Sequence, residues 1–377
     1  MKNISLLIKP ASSVCNMRCR YCFYADEAAN REQASAGMMT KQTAETLIRQ
    51  AFETVEEHGS VGFTFQGGEP TMAGLDYFRY FVETAARMKR SGVKVQYSIQ
   101  TNALNLDESW AEFFAAHQFL VGVSLDGEKT IHNQLRLDAA GKDTWNRVTK
   151  NLSMLQKKGV EVNVLCVVTS QSAKHGAKIY NNLKKLGMRY LQFIPCLDPL
   201  EKERGEMPYS LTPEAYGKFL CTTFDEWYRD LERGDYTSIR LFDDYVHLAM
   251  GLPASTCATS GTCGSYFVVE GDGALFPCDF YCLDQWKMGM IGERSLEELA
   301  KGEIAAQFQK ESLVHPAECE ECSWRSLCNG GCKRDRYWDE TGVHNYFCPA
   351  FRQFFAYAGE RLRRVAMASR NGYLRSR

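Results

Sequence analysis

The first 200 residues alternate short apolar segments with longer amphipathic segments, and this alternation restricts the possible fold more than any other feature of the chain. The apolar segments have the length of β-strands, whereas the segments between them have helical periodicity. The predicted strands are Ser5–Lys9, Gly62–Gln66, Lys94–Gln100, Leu120–Leu125, Val160–Val168 and Tyr190–Pro195. The predicted helices are Lys41–Glu57, Leu75–Arg90, Asp107–Ala116, Thr144–Lys157 and Ala173–Leu186. Strands that alternate with helices in this way predict a parallel sheet.

Capping residues support this assignment. Thr40 and Asp107 are of the types that cap a helix N-terminus, and Gly92, Gly159 and Gly187 follow predicted helix ends. The glycine fingerprint of dinucleotide-binding sheets does not follow the first strand. The pattern therefore favours an α/β fold built as a partial (β/α)6 barrel of the TIM type over an open dinucleotide-binding sheet. In such barrels the active-site residues lie at the carboxyl ends of the strands.

Three cysteines, Cys15, Cys19 and Cys22, follow the first predicted strand at a C-x3-C-x2-C spacing. Three thiolates on one loop can ligate three irons of a four-iron cubane cluster. The fourth iron then has no protein ligand and is open to bind and reduce another molecule. A structural zinc site needs four ligands, and no further Cys or His follows before His58. The loop therefore indicates a catalytic iron–sulfur cluster rather than a zinc knuckle.

This spacing, followed by an aromatic residue, resembles that of the radical S-adenosylmethionine (SAM) enzymes. In that family the amino and carboxylate groups of SAM chelate the open iron, and an electron from the cluster cleaves SAM to release a 5′-deoxyadenosyl radical. The stretch Gln66-Gly67-Gly68-Glu69-Pro70 is similar to the Gly-Gly-Glu-Pro motif that contacts the methionine group of SAM in this family. A glycine turn with a proline at the start of a helix is the structural alternative for this stretch.

The resemblance implies further SAM contacts at the ends of other strands. Ser124 ends the fourth predicted strand, where a hydroxyl suits a ribose or carboxylate. Arg136 can hold a carboxylate with two hydrogen bonds, and Leu197, after the sixth strand, would lie against adenine. The implied SAM-binding residues are Tyr21, Gln66, Gly67, Gly68, Glu69, Ser124, Arg136 and Leu197. Packing or helix capping remains the alternative for each residue taken singly.

The chain contains 15 cysteines, and nine of them lie between Cys257 and Cys348. Clustered cysteines in a cytosolic protein indicate metal binding rather than disulfides. Eight of the nine are enough for two sites of four thiolates each: Cys257, Cys263, Cys278, Cys319, Cys322, Cys328, Cys332 and Cys348. Thiolates alone do not distinguish a four-cysteine zinc site from an iron–sulfur cluster.

The spacing C-x9-G-x4-C, then C-x2-C-x5-C-x3-C, then a last Cys, is similar to the SPASM domain, with Gly273 as its glycine. That domain holds two auxiliary [4Fe–4S] clusters. The resemblance implies that the first auxiliary cluster is ligated by Cys257, Cys263, Cys278 and Cys332. The second would be ligated by Cys319, Cys322, Cys328 and Cys348. With the N-terminal site, the expectation is three [4Fe–4S] clusters and SAM.

The stretch Pro277-Cys278-Asp279-Phe280-Tyr281, together with the N-terminal motifs, resembles the anaerobic sulfatase-maturating enzymes over nearly the whole chain. These enzymes oxidise a Cys or Ser side chain of a sulfatase to Cα-formylglycine. The resemblance implies that the 5′-deoxyadenosyl radical takes a hydrogen atom from Cβ and that an auxiliary cluster accepts an electron. Asp279 would remove the thiol or hydroxyl proton, and Tyr24 and Gln66 would position the substrate. From the pattern alone, an Asp that caps a turn is the alternative.

The expected partners are a sulfatase segment of the type Cys/Ser-x-Pro-x-Arg and a reductant such as flavodoxin or ferredoxin. Another SPASM-type peptide maturase, forming a thioether or carbon–carbon crosslink on a ribosomal peptide, is the alternative function. A metal-stabilised binding or regulatory module is an alternative from a different class, and it would not cleave SAM.

Composition adds several exclusions. The net charge of the 377-residue chain is −1, which does not indicate nucleic acid or an anionic membrane as a partner. No apolar run reaches the length of a membrane span, and the N-terminus does not resemble a signal peptide, so we expect a cytoplasmic protein. We expect the barrel at residues 1–235, the SPASM domain with bridging helices at 236–350, and a C-terminal helix and tail at 351–377.

Overall fold

A ten-stranded sheet forms the centre of the computed structural model, which describes residues 1–370. The strands are β1 (Asn3–Ile8), β2 (Met17–Cys19), β3 (Ser60–Phe65), β4 (Lys94–Thr101), β5 (Leu120–Ser124), β6 (Arg136–Asp138), β7 (Glu161–Val168), β8 (Tyr190–Pro195), β9 (Ser238–Ile239), β10 (Phe267–Val269), β11 (Ala274–Phe276), β12 (Gly289–Met290), β13 (Arg336–Asp339) and β14 (Gly342–Asn345). The helices are α1 (Phe23–Ala29), α2 (Lys41–Thr54), α3 (Leu75–Met88), α4 (Glu108–Ala116), α5 (Lys129–Leu135), α6 (Trp145–Lys157), α7 (Gly176–Lys185), α8 (Pro213–Glu232), α9 (Arg240–Ala249), α10 (Cys257–Ser260), α11 (Leu296–Ala300), α12 (Glu303–Ser312), α13 (Arg325–Cys328) and α14 (Cys348–Arg370).

The six predicted strands lie side by side in the order β1-β3-β4-β5-β7-β8, and every neighbouring pair is parallel. The outer edge of β8 pairs with β9, and the outer edge of β1 pairs with β10. The sheet therefore does not close on itself. This arrangement confirms the predicted partial barrel.

The helices between the strands also match the prediction, with ends that differ by a few residues. The side chain of Thr40 accepts a hydrogen bond from the N–H of Thr43, and that of Asp107 accepts one from Trp110. The helix expected to begin at Ala173 instead starts with a turn of 3-10 helix and becomes α-helical at Gly176. The last helix begins at Cys348 rather than at Phe351, so a predicted cluster ligand opens α14.

The cysteine-rich C-terminal part continues the sheet of the barrel. The short strands β10 and β11 form an antiparallel hairpin, and β10 also runs parallel to β1, with Leu6 opposite Phe267 and Ile8 opposite Val269. The N–H of Lys9 donates to the carbonyl of Val269 at 2.8 Å. Since Asp279 follows β11 closely in sequence, this pairing carries it to the carboxyl end of β1.

Aromatic side chains fill the space between the sheet and its helices. Phe63 and Phe65 are fully buried on one face of β3, and both contact Phe81 of α3, with ring centroids 5.1 and 5.0 Å apart. Burial of a phenylalanine side chain stabilises a fold by about 1.5–3 kcal/mol. Within residues 1–370, no helix combines the length and apolar character needed to cross a membrane.

Candidate active site

A cavity of about 1280 Å³ opens at the carboxyl ends of the parallel strands. Ligand pockets of proteins usually measure about 300–1,000 Å³, so this cavity has room for more than one small molecule. All residues that the sequence proposed for SAM, substrate and proton transfer line it: Tyr21, Tyr24, Gln66, Gly67, Gly68, Glu69, Ser124, Arg136, Leu197 and Asp279. The three N-terminal cysteines line it too.

The loop that carries these three cysteines is fixed to the residues that follow β3. The N–H of Gly68 donates to the carbonyl of Ser12 at 2.7 Å, and the N–H of Glu69 donates to that of Val14 at 2.8 Å. A Cβ atom added to Gly68 would lie 2.3 Å from the carbonyl oxygen of Val14. The close approach that requires a glycine here is made by the cysteine loop, and the contact of Gly68 with SAM stays a prediction.

The chemistry of the three thiols fits the open cluster that the sequence predicts. Cys15, Cys19 and Cys22 are free and half-buried at the cavity wall. Burial raises the pKa of Cys19 to about 12. A thiol in such a place has little tendency to ionise by itself, whereas bound iron stabilises the thiolate form.

Glu69 is buried, and protein donors already hold its carboxylate. Its Oε1 accepts hydrogen bonds from the hydroxyls of Thr71 and Thr101, at 2.6 and 2.7 Å, and also from the N–H of Thr71. Its Oε2 accepts one, from the N–H of Asn102 at 2.7 Å. Burial raises the pKa of Glu69, and these hydrogen bonds act in the opposite direction. The Oε2 atom is the one with capacity for a further donor.

Arg136 is part of a buried network of hydrogen-bonded side chains. Its Nη1 donates to the hydroxyl of Tyr21 at 2.9 Å, and that hydroxyl donates to Asp126. Its Nε is buried and has no hydrogen-bond partner among residues 1–370. Among the other proposed SAM contacts, Ser124 accepts a hydrogen bond from the side chain of Gln100 at 2.8 Å, and Leu197 lines the cavity.

Asp279 is buried at the cavity wall between two side chains of the barrel. Its Oδ1 lies 2.7 Å from Nζ of Lys9, and its Oδ2 accepts a hydrogen bond from Nε2 of Gln66 at 2.7 Å. The carboxylate thus bonds to side chains rather than capping a turn. Although burial lowers the pKa of Lys9, the charge of Asp279 and of other neighbours raises it well above the ordinary value. Lys9 therefore stays charged beside the carboxylate.

Tyr24 lies beneath this ion pair. Its ring centroid is 3.3 Å from Nζ of Lys9, and its hydroxyl donates to Glu270. Arg31 also binds Glu270, with 2.9 Å between Nη1 and Oε1. Burial raises the pKa of nearby Glu27 to about 8. The contacts of the Tyr24 side chain within the fold support Lys9, and its role in positioning the substrate stays a prediction.

The eight C-terminal cysteines form two groups. Burial raises the pKa of Cys278, and the thiols close enough to raise it further are Cys332 and Cys263; Cys257 is in turn close to Cys332. Burial likewise raises the pKa of Cys328 to about 12. Its thiol neighbours are the other members of the second group, Cys319, Cys322 and Cys348. No three Cys, His, Asp or Glu side chains within residues 1–370 are arranged to hold a single metal ion.

The two groups differ in their place in the molecule. Cys257 and Cys332 of the first group line the main cavity, and Cys278 of that group precedes Asp279 in the chain. All four cysteines of the second group line a separate small pocket, with Trp324 and exposed Arg325. The first group therefore lies nearer to the proposed substrate base.

Sequence reasoning did not identify three residues of this site. Lys9 is a charged residue at the end of the first predicted strand, before the cysteine loop. This position was the sequence signal that could have identified it as a site residue. Asp126 and Glu270 gave no signal, because their partners, Tyr21 and Tyr24, are more than 100 residues away in the chain.

Family models identify the class of protein. The model of the radical SAM superfamily matches residues 10–183, and the SPASM model, described as an iron–sulfur cluster-binding domain, matches residues 261–323. Together with the three-cysteine loop in the cavity, these matches define a radical SAM enzyme with a SPASM domain.

Individual relatives narrow the class further. A cysteine-type anaerobic sulfatase-maturating enzyme from Clostridium novyi is 44% identical over 357 residues, which are 94% of this chain and 95% of the relative. A serine-type enzyme from Bacteroides thetaiotaomicron is 31% identical and covers 94% of this chain and 89% of its own length. A solved structure described as native anSMEcpe with bound AdoMet and Cp18Cys peptide matches with a TM-score of 0.91 and 43% identity, covering 97% of this chain and 99% of that chain. The chain belongs to the anaerobic sulfatase-maturating enzymes.

These findings confirm the predicted family, fold class and enzyme class. Membership of the class implies SAM and a [4Fe–4S] cluster as cofactors, with further iron–sulfur binding in the SPASM domain.

Proposed function

We propose that this enzyme converts a Cys or Ser residue of a sulfatase to Cα-formylglycine, with Asp279 as the general base. The observation that carries the proposal is the Asp279 carboxylate, which lies at the wall of the large cavity between Lys9 and Gln66 and directly follows Cys278. The proposed substrate segment is of the type Cys/Ser-x-Pro-x-Arg. The higher identity to the cysteine-type relative, 44% against 31%, favours cysteine as the preferred target.

When bound, the cofactors supply a radical that removes a hydrogen atom from Cβ of the target residue, and they accept the electron that the substrate then loses. The residues of the chain take up the substrate proton and orient the reacting groups. Asp279, paired with Lys9, takes the proton of the substrate thiol or hydroxyl. Gln66 holds the other carboxylate oxygen, so that the base keeps one orientation toward the cavity. The buried walls restrict access of water to the reacting atoms.

Cys15, Cys19 and Cys22 would hold the cluster that binds SAM, and Oε2 of Glu69 would accept a hydrogen bond from the SAM ammonium group. The free Nε of Arg136 and the hydroxyl of Ser124 are the donors available for its carboxylate and ribose. Gly67 and Gly68 would present main-chain groups to the methionine part, Tyr21 would hold Arg136 in place, and Leu197 would contact adenine.

The two C-terminal cysteine groups would each hold one auxiliary [4Fe–4S] cluster, giving three clusters in total. Residues 1–235 would supply the barrel, residues 236–350 the auxiliary clusters, and residues 351–377 the terminal helix and tail; residues 371–377 lie outside the described part of the chain. An external reductant such as flavodoxin or ferredoxin would provide the electron that starts the reaction.

A mass measurement tests this function. Anaerobically reconstituted enzyme is incubated with SAM, dithionite and an 18-residue peptide that contains Cys-x-Pro-x-Arg, and in parallel with the Ser peptide. From cysteine, oxidation removes two hydrogens to give a thioaldehyde, and water then replaces its sulfur, which leaves as hydrogen sulfide, so that formylglycine has lost sulfur and gained oxygen. From serine, formylglycine loses only two hydrogens, as a crosslink does, so both products are also treated with dinitrophenylhydrazine, which labels an aldehyde. A Cys-peptide product that keeps its sulfur after hydrolysis, has lost two hydrogens and does not react with the hydrazine would overturn the proposal in favour of a crosslinking maturase.

A further inference from the structure

Arg336 is a buried arginine whose guanidinium group is bound by four backbone carbonyl groups. Its Nη1 donates to Ser312 and Val314 at 2.6 and 2.8 Å, and its Nη2 donates to Gly331 and Gly261 at 3.0 and 3.3 Å. The side chain is 6% exposed, and no carboxylate forms an ion pair with it among residues 1–370. Its hydrogen-bond partners are therefore all neutral, and the carboxylate of buried Asp335 lies close enough to interact with its charge without forming an ion pair.

The four carbonyl groups belong to segments that carry cysteines of both groups. Gly261 lies between Cys257 and Cys263 in the first group, and Gly331 precedes Cys332. The hydroxyl of Ser312 accepts a hydrogen bond from the N–H of Cys263 at 3.2 Å, and the chain then runs through Val314 toward Cys319 of the second group. Arg336 thus fixes loops of both groups at once.

The guanidinium group is also close to thiols of both groups. Burial lowers the pKa of Arg336, while Cys332 and Cys263 of the first group and Cys319 of the second act in the opposite direction. Its Nε is buried and has no hydrogen-bond partner among residues 1–370. An N–H donor without a protein acceptor, close to thiols of both groups that fit cluster ligation, suits a thiolate or sulfide as its acceptor.

A cluster becomes more negative when it accepts an electron. A nearby positive charge and N–H donors to sulfur stabilise the reduced form and raise the reduction potential, most effectively where water is excluded. Arginine retains its charge when buried, and its planar group can face two sites. A single buried cation between two clusters therefore favours reduction of both.

We propose that Arg336 is a positioning residue that sets the reduction potentials of both auxiliary clusters and so prepares them to accept the electron from the substrate. The inference rests on the two auxiliary clusters proposed above. A role in tying the loops together, without an influence on the potentials, is the structural alternative.

The test uses the full-length chain with Cys15, Cys19 and Cys22 changed to Ala, so that only the auxiliary sites can bind iron. R336Q removes the charge, whereas R336K keeps it and loses some of the carbonyl contacts. R325Q is the matched control, because Arg325 is an exposed arginine close to Cys319 whose charge water screens. Iron content is measured first, and the potentials are then determined by redox titration followed by electron paramagnetic resonance.

About eight irons per chain in the parent show that both auxiliary clusters are present, which separates failure of the proposed function from failure of this inference. In R336Q we expect both reduction potentials to fall by at least 59 mV. For a one-electron couple, this shift corresponds to a tenfold change in the ratio of reduced to oxidised cluster. R336K and R325Q should stay within that limit. Unchanged potentials in R336Q, or a shift of only one cluster, would overturn the proposal.

If R336Q does not bind iron, the iron content and reduction potentials of R336K test the proposal. Normal iron content and potentials in R336K would show that the charge, rather than the full set of carbonyl contacts, is what both clusters need. A shift of 59 mV or more in R336K, where the charge is retained, would show that loop geometry alone controls the potentials and would overturn the proposal.

Discussion

At the scale of single residues, the position of Asp279 depends on partners from the opposite end of the chain. Lys9 and Gln66 both follow strands of the barrel, whereas Asp279 follows the hairpin of the C-terminal part. A buried carboxylate with one cationic partner and one amide donor has a defined orientation. The proposed role of general base requires such an orientation.

D279N should abolish peptide oxidation while SAM cleavage continues. The amide keeps the shape and the contact with Gln66 but cannot accept the substrate proton, so we expect product formation to fall about 10²-fold or more. Liquid chromatography with mass detection measures 5′-deoxyadenosine and product in the same reaction. D272N, in the exposed hairpin turn, is the control; equal product from D279N and D272N would remove Asp279 from the mechanism.

K9M should destabilise the protein by about 3–5 kcal/mol, because it leaves the carboxylate of Asp279 buried without its cation. The pKa of Lys9 is raised well above its ordinary value, so its contribution is present at neutral pH and is lost only as pH rises through the folded-state pKa. Urea unfolding should therefore show that K9M is less stable than wild type throughout the range from about pH 6 to 9.

K9R, which keeps the charge, should lose less stability than K9M. The double variant K9M/D279N should be more stable than K9M, because no unpaired buried charge remains. Strictly additive losses in this double-mutant cycle would show that the two side chains do not interact energetically.

At the scale of elements, the loop with the three N-terminal cysteines depends on the backbone that follows β3. G68A should reduce iron binding at this site, since the added Cβ would lie 2.3 Å from the carbonyl oxygen of Val14 and displace the loop. We expect a loss of about four irons per chain and loss of SAM cleavage. G62A in β3 is the control, because its Cβ would make an ordinary contact 3.7 Å from Oγ of Ser5. Full iron content in G68A would contradict this role.

The sequence predicted the individual elements well because each one has a local signal. The period of apolar residues located the parallel strands, and the cysteine spacing located the candidate ligand sets. Pairing between distant elements has no such signal. The pairing of β10 with β1 involves only three residue pairs, and the ion pair between Lys9 and Asp279 forms only because of that register. The hydrogen bonds that join Tyr21, Arg136 and Asp126 depend on the tertiary fold in the same way.

At the scale of the whole molecule, the three cysteine sets predict about twelve irons per chain after anaerobic reconstitution. Changing Cys15, Cys19 and Cys22 to Ala should leave about eight, because the C-terminal groups are separate from that loop. Elemental analysis by mass spectrometry measures iron and zinc in the same sample. Two zinc ions per chain in the triple variant would contradict the auxiliary clusters.

The edge pairing of β1 with β10 has a mechanical consequence. Backbone hydrogen bonds join the first strand of the barrel to the start of the C-terminal part, on the side where Lys9 and Asp279 meet. These hydrogen bonds close the cavity wall at this edge and keep the two parts of the chain in register there. A substrate peptide that reaches Asp279 therefore has to enter through the opening of the cavity rather than between β1 and β10.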